Sequence, residues 1–196
     1  FLAAWIDRRG GTINPLGFAR GLAVAAMRAG AAAHAHSPVQ SLERAGKGWV
    51  ARTARGAVRA AKVLVATAAY ADDLVPGLRR SFVPVRTAQT ASVPLPAHMA
   101  AAILPGRQGA SDTRRLLTSF RLSPDGRLVM GGSGATGGLS HEHLLPRLRR
   151  AGAELFRALG PVEWAFGWSG YFAVTSEHLP RLHESGDGIV CALGCN

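Results

Sequence analysis

Apolar positions at Phe18, Leu22, Ala25 and Ala29 are spaced four, three and four apart, which puts them on one face of a helix. Asn14-Pro15 opens that helix. The Asn side chain can accept from a free first-turn N–H, and Pro15 suits the first helical position. Gly30 closes it as a left-handed residue. A short strand from Leu2 to Ile6 and a turn at Arg9-Gly10-Gly11 are expected before it, and a small-residue strand from Ala32 to His36 after it. The period then shortens. Val39 to Leu42, Trp49 to Thr53 and Ala57 to Arg59 are strand-like runs parted by Gly46-Lys47-Gly48 and Ala54-Arg55-Gly56, which predicts a three-stranded meander. The unbroken run Val63-Leu64-Val65-Ala66-Thr67 predicts a strand buried on both faces of a parallel sheet.

From Pro76 onward the texture is antiparallel. Pro84, Pro94, Pro96 and Pro105 punctuate the stretch, and Ser123-Pro124-Asp125-Gly126 joins Leu116–Leu122 to Arg127–Met130 as a hairpin. A helix is predicted from about Leu144 to Leu159, with Leu145, Leu148, Leu155, Phe156 and Leu159 as its apolar side and Gly160-Pro161 as its stop. Val162, Trp164, Phe166 and Trp168 alternate with Glu163, Ala165, Gly167 and Ser169, the mark of a half-buried strand. Gly188 to Ala192 is a further buried-type strand. The fold class is α/β plus α+β: a parallel sheet with a β-meander, interleaved with an antiparallel-sheet domain.

Composition changes little of this. The 196 residues are 47% hydrophobic and 18% charged, as in a globular chain. No apolar run reaches the length of a membrane span. Two cysteines, Cys191 and Cys195, make no disulfide framework, so a reducing, cytoplasmic setting is expected. The net charge of +11 raises nucleic-acid binding as an alternative. Its distribution argues against that, because the arginines are scattered in pairs such as Arg79-Arg80 and Arg149-Arg150 rather than forming a basic block.

Isolated motifs carry little chemistry. Gly132-Ser133-Gly134-Ala135-Thr136-Gly137 spells GxGxxG, but it follows a hairpin strand, and helix-like sequence waits until Ser140 or later. It reads as a glycine-rich hairpin exit. His141 and His143, two apart, point apart on a helix, and His34 and His36 have no ligand-type neighbour in sequence, so no metal site is expected. Neither lysine is followed by Ser or Thr, and no GxSxG occurs. Trp168, Tyr171 and Phe172 can be core or interface aromatics, or the wall of a pocket for a planar group.

Taken in order, the motifs resemble those of the D-amino-acid oxidase-like FAD-dependent oxidoreductases. Gly10-Gly11-Thr12-Ile13-Asn14-Pro15-Leu16 is similar to their GG-x-x-(N/H)-P-L segment, and Val63 to Tyr70 to their apolar run ending A-T-(G/N)-A-(W/Y). Phe120 to Gly132 resembles their Y-R-L-T-P-D-x-R-L-L-x-G-G hairpin. Trp168-Ser169-Gly170, Thr175 and Leu179-Pro180, then Ala192 to Asn196, match the remaining motifs. Among subgroups the resemblance is greatest to gamma-glutamylputrescine oxidoreductases.

The resemblance implies a discontinuous FAD domain over residues 14–78 and 180–196, and a substrate domain over residues 1–13 and 79–179. It implies oxidation of an amine or amino-acid C–N bond by hydride transfer to non-covalently bound FAD. Val39, Ala66, Thr67, Ala68, Gly194 and Asn196 match cofactor-contacting positions, while Phe120, Trp168 and Tyr171 match the substrate pocket. No catalytic side chain is implied, because the protein's task is to orient the amine against the flavin. Ala68 stands where the family has Gly or Asn. The family's N-terminal strand–GxGxxG–helix unit is not within these residues, so the chain reads as an internal piece of such an enzyme. The alternatives are a basic non-enzymatic binding module and an inactive remnant.

Overall fold

The structure, a computed structural model, describes residues 4–114, 117–134 and 141–194, with the backbone alone at Ser133 and His141. These residues separate into two compact units, residues 4–31, 87–134 and 141–169 in one and residues 32–86 and 170–194 in the other.

The first unit opens with helix α1, Pro15–Arg28. Asn14 caps it through Oδ1, which accepts from the Gly17 N–H at 3.0 Å, and Gly30 takes the left-handed conformation with φ +95°. The expected apolar face forms but is not packed: Phe18 and Leu22 are 58% and 56% exposed. The strand expected from Leu2 to Ile6 is not found at residues 4–6, which have no regular structure, and residues 1–3 lie outside the described set.

In the second unit the meander is present as β1 (Ser41–Ala45), β2 (Gly48–Thr53) and β3 (Gly56–Ala60), antiparallel in that order. Gly48 serves a close approach: a Cβ there would lie 2.5 Å from the Ala60 carbonyl oxygen of β3. Strand β4, Val63–Val65, is shorter than expected. Among the described residues it is the edge of a separate three-stranded sheet, and Leu64 is 63% exposed instead of buried, because nothing covers the sheet face it stands on. Residues 32–36 form no strand, because they pair with no described neighbour.

Strand β5, Val83–Pro94, is the longest and was hidden in the sequence by its prolines. Pro84 and Pro94 sit near its two ends, where the lost N–H is tolerated. It is followed by the short helix α2 (Ala97–Ile103), β6 (Ala110–Ser111), β7 (Thr118–Leu122) and β8 (Arg127–Ser133). The hairpin between β7 and β8 is the predicted one, with Gly126 at φ +82°. Helix α3, His141–Leu155, precedes β9, Trp164–Val174, and the sheet order is β6-β7-β8-β5-β9.

Leu144, Leu145 and Leu148 of α3 pack on Ala88, while Leu128, Met130 and Leu159 form a second cluster joined by Phe120, Phe156 and Trp164. Leu155, expected in the apolar face of α3, is 36% exposed, because the helix ends there and a 3-10 turn at Arg157–Leu159 carries the packing onward. Two fully buried hydroxyls lie in β5. Thr90 Oγ1 donates to the Phe166 carbonyl at 2.7 Å, and Ser92 Oγ accepts from the Leu128 N–H at 2.9 Å. The alternating aromatic strand forms as β9, but its large residues are not all on a buried face: Trp164 is half-buried, while Phe166 and Trp168 are exposed. Trp164 packs against Gly152 of α3 and on the Leu128–Met130–Leu159 cluster, while Phe166 has the Arg127 guanidinium 5.2 Å from its ring centre.

Last come β10 (Arg181–Glu184) and β11 (Ile189–Leu193). They pair antiparallel, and β11 pairs parallel with β4, giving the order β10-β11-β4. Alpha and beta elements are thus mixed, with one parallel strand pair among the described residues. The unit boundaries fall after Ala31, inside β5 and inside β9.

Candidate functional site

The parallel pair sets the geometry of the second unit. Val63, Leu64 and Val65 stand opposite Ile189, Val190 and Cys191, so both strands run the same way and end at the same edge. Beyond that edge lie Ala66, Thr67 and Ala68 from one strand and Gly194 from the other. Backbone groups just past the carboxyl ends of parallel strands lack ladder partners and are where α/β sheets receive ligands. Leu193, Ala71, Phe82 and Ala173 pack together, with Ala69 and Leu78 against them, which fixes the two strand exits relative to each other.

Both exits have special backbone. Ala68 is left-handed, with φ 47°, the conformation in which Gly or Asn is at ease. It begins a one-turn 3-10 helix through Tyr70, and the Tyr70 N–H donates to the Thr67 carbonyl at 2.9 Å. Gly194 is left-handed too, with φ +78°, and a Cβ on it would sit 2.4 Å from the Leu179 carbonyl oxygen and 3.2 Å from the Thr175 side chain. No side chain fits there. Cys191, three residues earlier in β11, is buried as a core residue, and burial, then Asp187, push its thiol above the ordinary range.

A cluster of polar aromatics lies in the same unit. The Tyr171 N–H donates to the Tyr70 hydroxyl at 2.9 Å, and the two rings meet edge-on with centroids 5.9 Å apart. Gly170 permits this, since a Cβ there would be 3.2 Å from the Tyr70 oxygen. The Arg86 guanidinium lies 4.4 Å from the centre of the Tyr171 ring and donates to its hydroxyl. Three groups able to hold a polar ligand therefore converge, of which sequence reasoning singled out only Tyr171. Tyr70 was visible as the last residue of the A-T-x-A-(W/Y) pattern. Arg86, a charged residue in the apolar run Val83-Pro84-Val85, was the available but unused signal.

The other expected residues are more scattered. Val39 is half-exposed just ahead of β1, in the meander rather than in the parallel pair; the adjacent Gln40 N–H donates to the Arg52 carbonyl at 2.7 Å. The meander is tied to the β10–β11 turn, because Trp49 Nε1 donates to the Asp187 carbonyl at 3.0 Å and Arg44 donates to the same oxygen. The Asp187 carboxyl is held below its usual range by the Ser185 hydroxyl, the Ile189 N–H and the charge of Arg44. Phe120 and Trp168 belong to the first unit. Phe120 packs edge-on against Phe156 at 5.0 Å, within the core cluster under β8, while Trp168 is 45% exposed on β9. Asn196 lies outside the described residues. Gly132, at the start of the glycine-rich run, is in β8, where a Cβ would strike Leu148.

The family description "FAD dependent oxidoreductase" (DAO) matches residues 1–196, the whole chain. The chain belongs to this family. It is similar to the "Probable oxidoreductase OrdL" of Rhizobium meliloti (strain 1021), with 30% identity over 183 residues, covering 93% of this chain and 42% of that protein. The "Gamma-glutamylputrescine oxidoreductase" of Escherichia coli (strain K12) is 29% identical over 207 residues, covering 97% of this chain and 47% of that protein. Among solved structures, glycine oxidase from Geobacillus kaustophilus superposes with a TM-score of 0.66 at 25% identity, over 90% of this chain and 47% of that one. The chain spans about half the length of the curated relatives it matches.

The residues at the strand edge suit the cofactor named by the family. Ala66 and Thr67, small and exposed just past the end of β4, leave main chain open to a ligand, whereas Gly194 is buried, with the Leu179 carbonyl and Thr175 filling the space beside it. An extended cofactor that touches main chain needs such openings.

Proposed function

We propose that this chain forms about half of a flavin-dependent oxidoreductase that oxidises the C–N bond of an amine or amino acid. In this reading the second unit carries part of the FAD-binding domain, and the five-stranded sheet of the first unit belongs to the substrate domain. The observation that carries it is the shared edge of β4 and β11, which gathers Ala66, Thr67, Ala68 and Gly194 where a DAO-family chain would meet its cofactor. When bound, FAD supplies the two-electron chemistry, accepting hydride from the carbon that bears the amine.

The residues of this chain have three tasks. Val39, Ala66–Ala68 and Gly194 would hold the cofactor through main-chain groups, without a covalent link. Tyr171 presents aromatic surface and a hydroxyl to a small-molecule substrate. Arg86 fixes Tyr171 in place by lying over its ring and bonding its hydroxyl. No side chain is assigned to proton transfer, since orientation alone brings a neutral amine to reaction distance.

The test uses the full-length protein purified with added FAD. Stoichiometric flavin that is bleached anaerobically by at least one member of an amine and amino-acid panel supports the reading. Flavin-free protein that binds no FAD at saturating concentration rejects it.

A further inference from the structure

A cavity of about 370 Å³ opens in the first unit, well away in sequence from the residues assigned to FAD. Its polar walls are Thr12 and Asn14, ahead of α1, and two arginines, Arg107 and Arg121; Leu122 and Pro124 give it an apolar side. That volume is within the range of small-ligand clefts.

The polar groups are nearly all donors. Asn14 uses its oxygen to accept from Gly17, which turns its amide –NH2 to other partners. Arg107 spends Nη2 on the carbonyls of Ser123 and Pro124, at 3.2 Å for the latter, and keeps Nε and Nη1. Arg121, half-buried on β7, pairs with no carboxylate or carbonyl among the described residues. Among the described residues no Asp or Glu lines the cavity. The adjacent Asp125 is already committed to Ser123 and to Arg127, at 2.6 Å. Two guanidiniums beside an amide donor, with no anion to neutralise them, are a receptor without its charge partner.

From this we infer that the cavity binds the carboxylate of a small organic acid, with Arg121 as the principal contact. A guanidinium presents parallel N–H donors that match a planar carboxylate in bidentate fashion. Arg107, anchored through Nη2, adds a second positive charge from the side. Leu122 and Pro124 accept the aliphatic portion of the acid. The site is independent of the flavin reading and can be tested without catalysis.

The full-length protein with FAD bound is titrated with acetate, succinate and inorganic phosphate. Binding is followed by calorimetry and by hydrogen exchange in peptides covering residues 10–16 and 117–124. Saturable succinate binding that protects both peptides is expected. Arg121→Gln should weaken it about tenfold or more, since a lost charge-assisted contact is worth at least that factor. Arg20→Gln, a change on exposed α1, should leave it unaltered. Arg121→Lys, which keeps the charge but not the fork, should fall between and replaces Arg121→Gln if the latter misfolds. Absence of saturable binding or protection in the unmodified protein overturns the inference, as does undiminished binding in Arg121→Gln. Phosphate binding about tenfold tighter than succinate overturns the carboxylate assignment.

Discussion

Gly194 offers the sharpest quantitative test of the strand-edge geometry. Replacing it with Ala places a methyl in a left-handed backbone, which costs about 1–2 kcal/mol. The new Cβ would also lie 2.4 Å from the Leu179 carbonyl oxygen. That atom is backbone, so the strand itself must shift, at about 1–3 kcal/mol by analogy with overpacked interiors. Alanine's smaller freedom in the unfolded chain returns about 0.4–1 kcal/mol. The net loss is then about 1–4.6 kcal/mol, which at a urea m-value of about 2–3 kcal/mol per molar is a midpoint shift of roughly 0.3–2.3 M. Gly186 supplies the internal control: it has φ +81° but nothing within 4 Å of its Cβ position. Gly186→Ala therefore suffers the backbone penalty without the collision. Urea unfolding of both variants in the full-length, FAD-loaded protein separates the two effects. Equal midpoints for the two variants would refute the packing argument, and an unshifted Gly194→Ala would refute both parts.

Three further outcomes follow from the same geometry. Ala68→Gly should stabilise the protein by up to about 1.5 kcal/mol, against the usual sign for Ala to Gly, because relief of the left-handed strain exceeds the entropy lost; urea midpoints check it. Gly170→Ala should displace the Tyr70 hydroxyl from the Tyr171 N–H and lose about 0.5–1.5 kcal/mol. In a Tyr70→Phe background that loss should nearly vanish, which a double-mutant cycle of unfolding midpoints will reveal. The Asp187 carboxyl is held below the ordinary aspartate range, first by the Ser185 hydroxyl, so its contribution is fully present above that range and fades as pH falls through the lowered value. Thermal melts of Asp187→Asn and the parent should differ at pH 6 and converge in strong acid.

Local chemistry made much of the fold legible. The Asn14 cap, the Gly30 stop, the meander turns and the Ser123–Gly126 hairpin rest on contacts within a few residues, and all appear in the structure. What failed depended on distant partners. Val63–Val65 looked buried on both faces because its residues are apolar, yet burial depends on what lies over the sheet, and Leu64 has open space. The aromatic alternation in β9 gave the strand correctly but not the depth of its side chains. Strand β5 went unnamed because its prolines look like breaks, although at strand ends they remove no needed hydrogen bond. At the candidate site, Ala68 was marked by its departure from a glycine position, and its φ of 47° gives that departure a physical meaning. Arg86 was missed because its partner Tyr171 is 85 residues away.

The most direct measurement is hydrogen–deuterium exchange on the full-length protein with and without FAD. Cofactor held across the carboxyl ends of β4 and β11 should slow exchange in peptides spanning residues 64–71 and 189–196 together, leaving the β6–β7 region unchanged. Bound FAD that protects neither peptide, or only one of them, would contradict the claim that these two strand ends form a single cofactor edge.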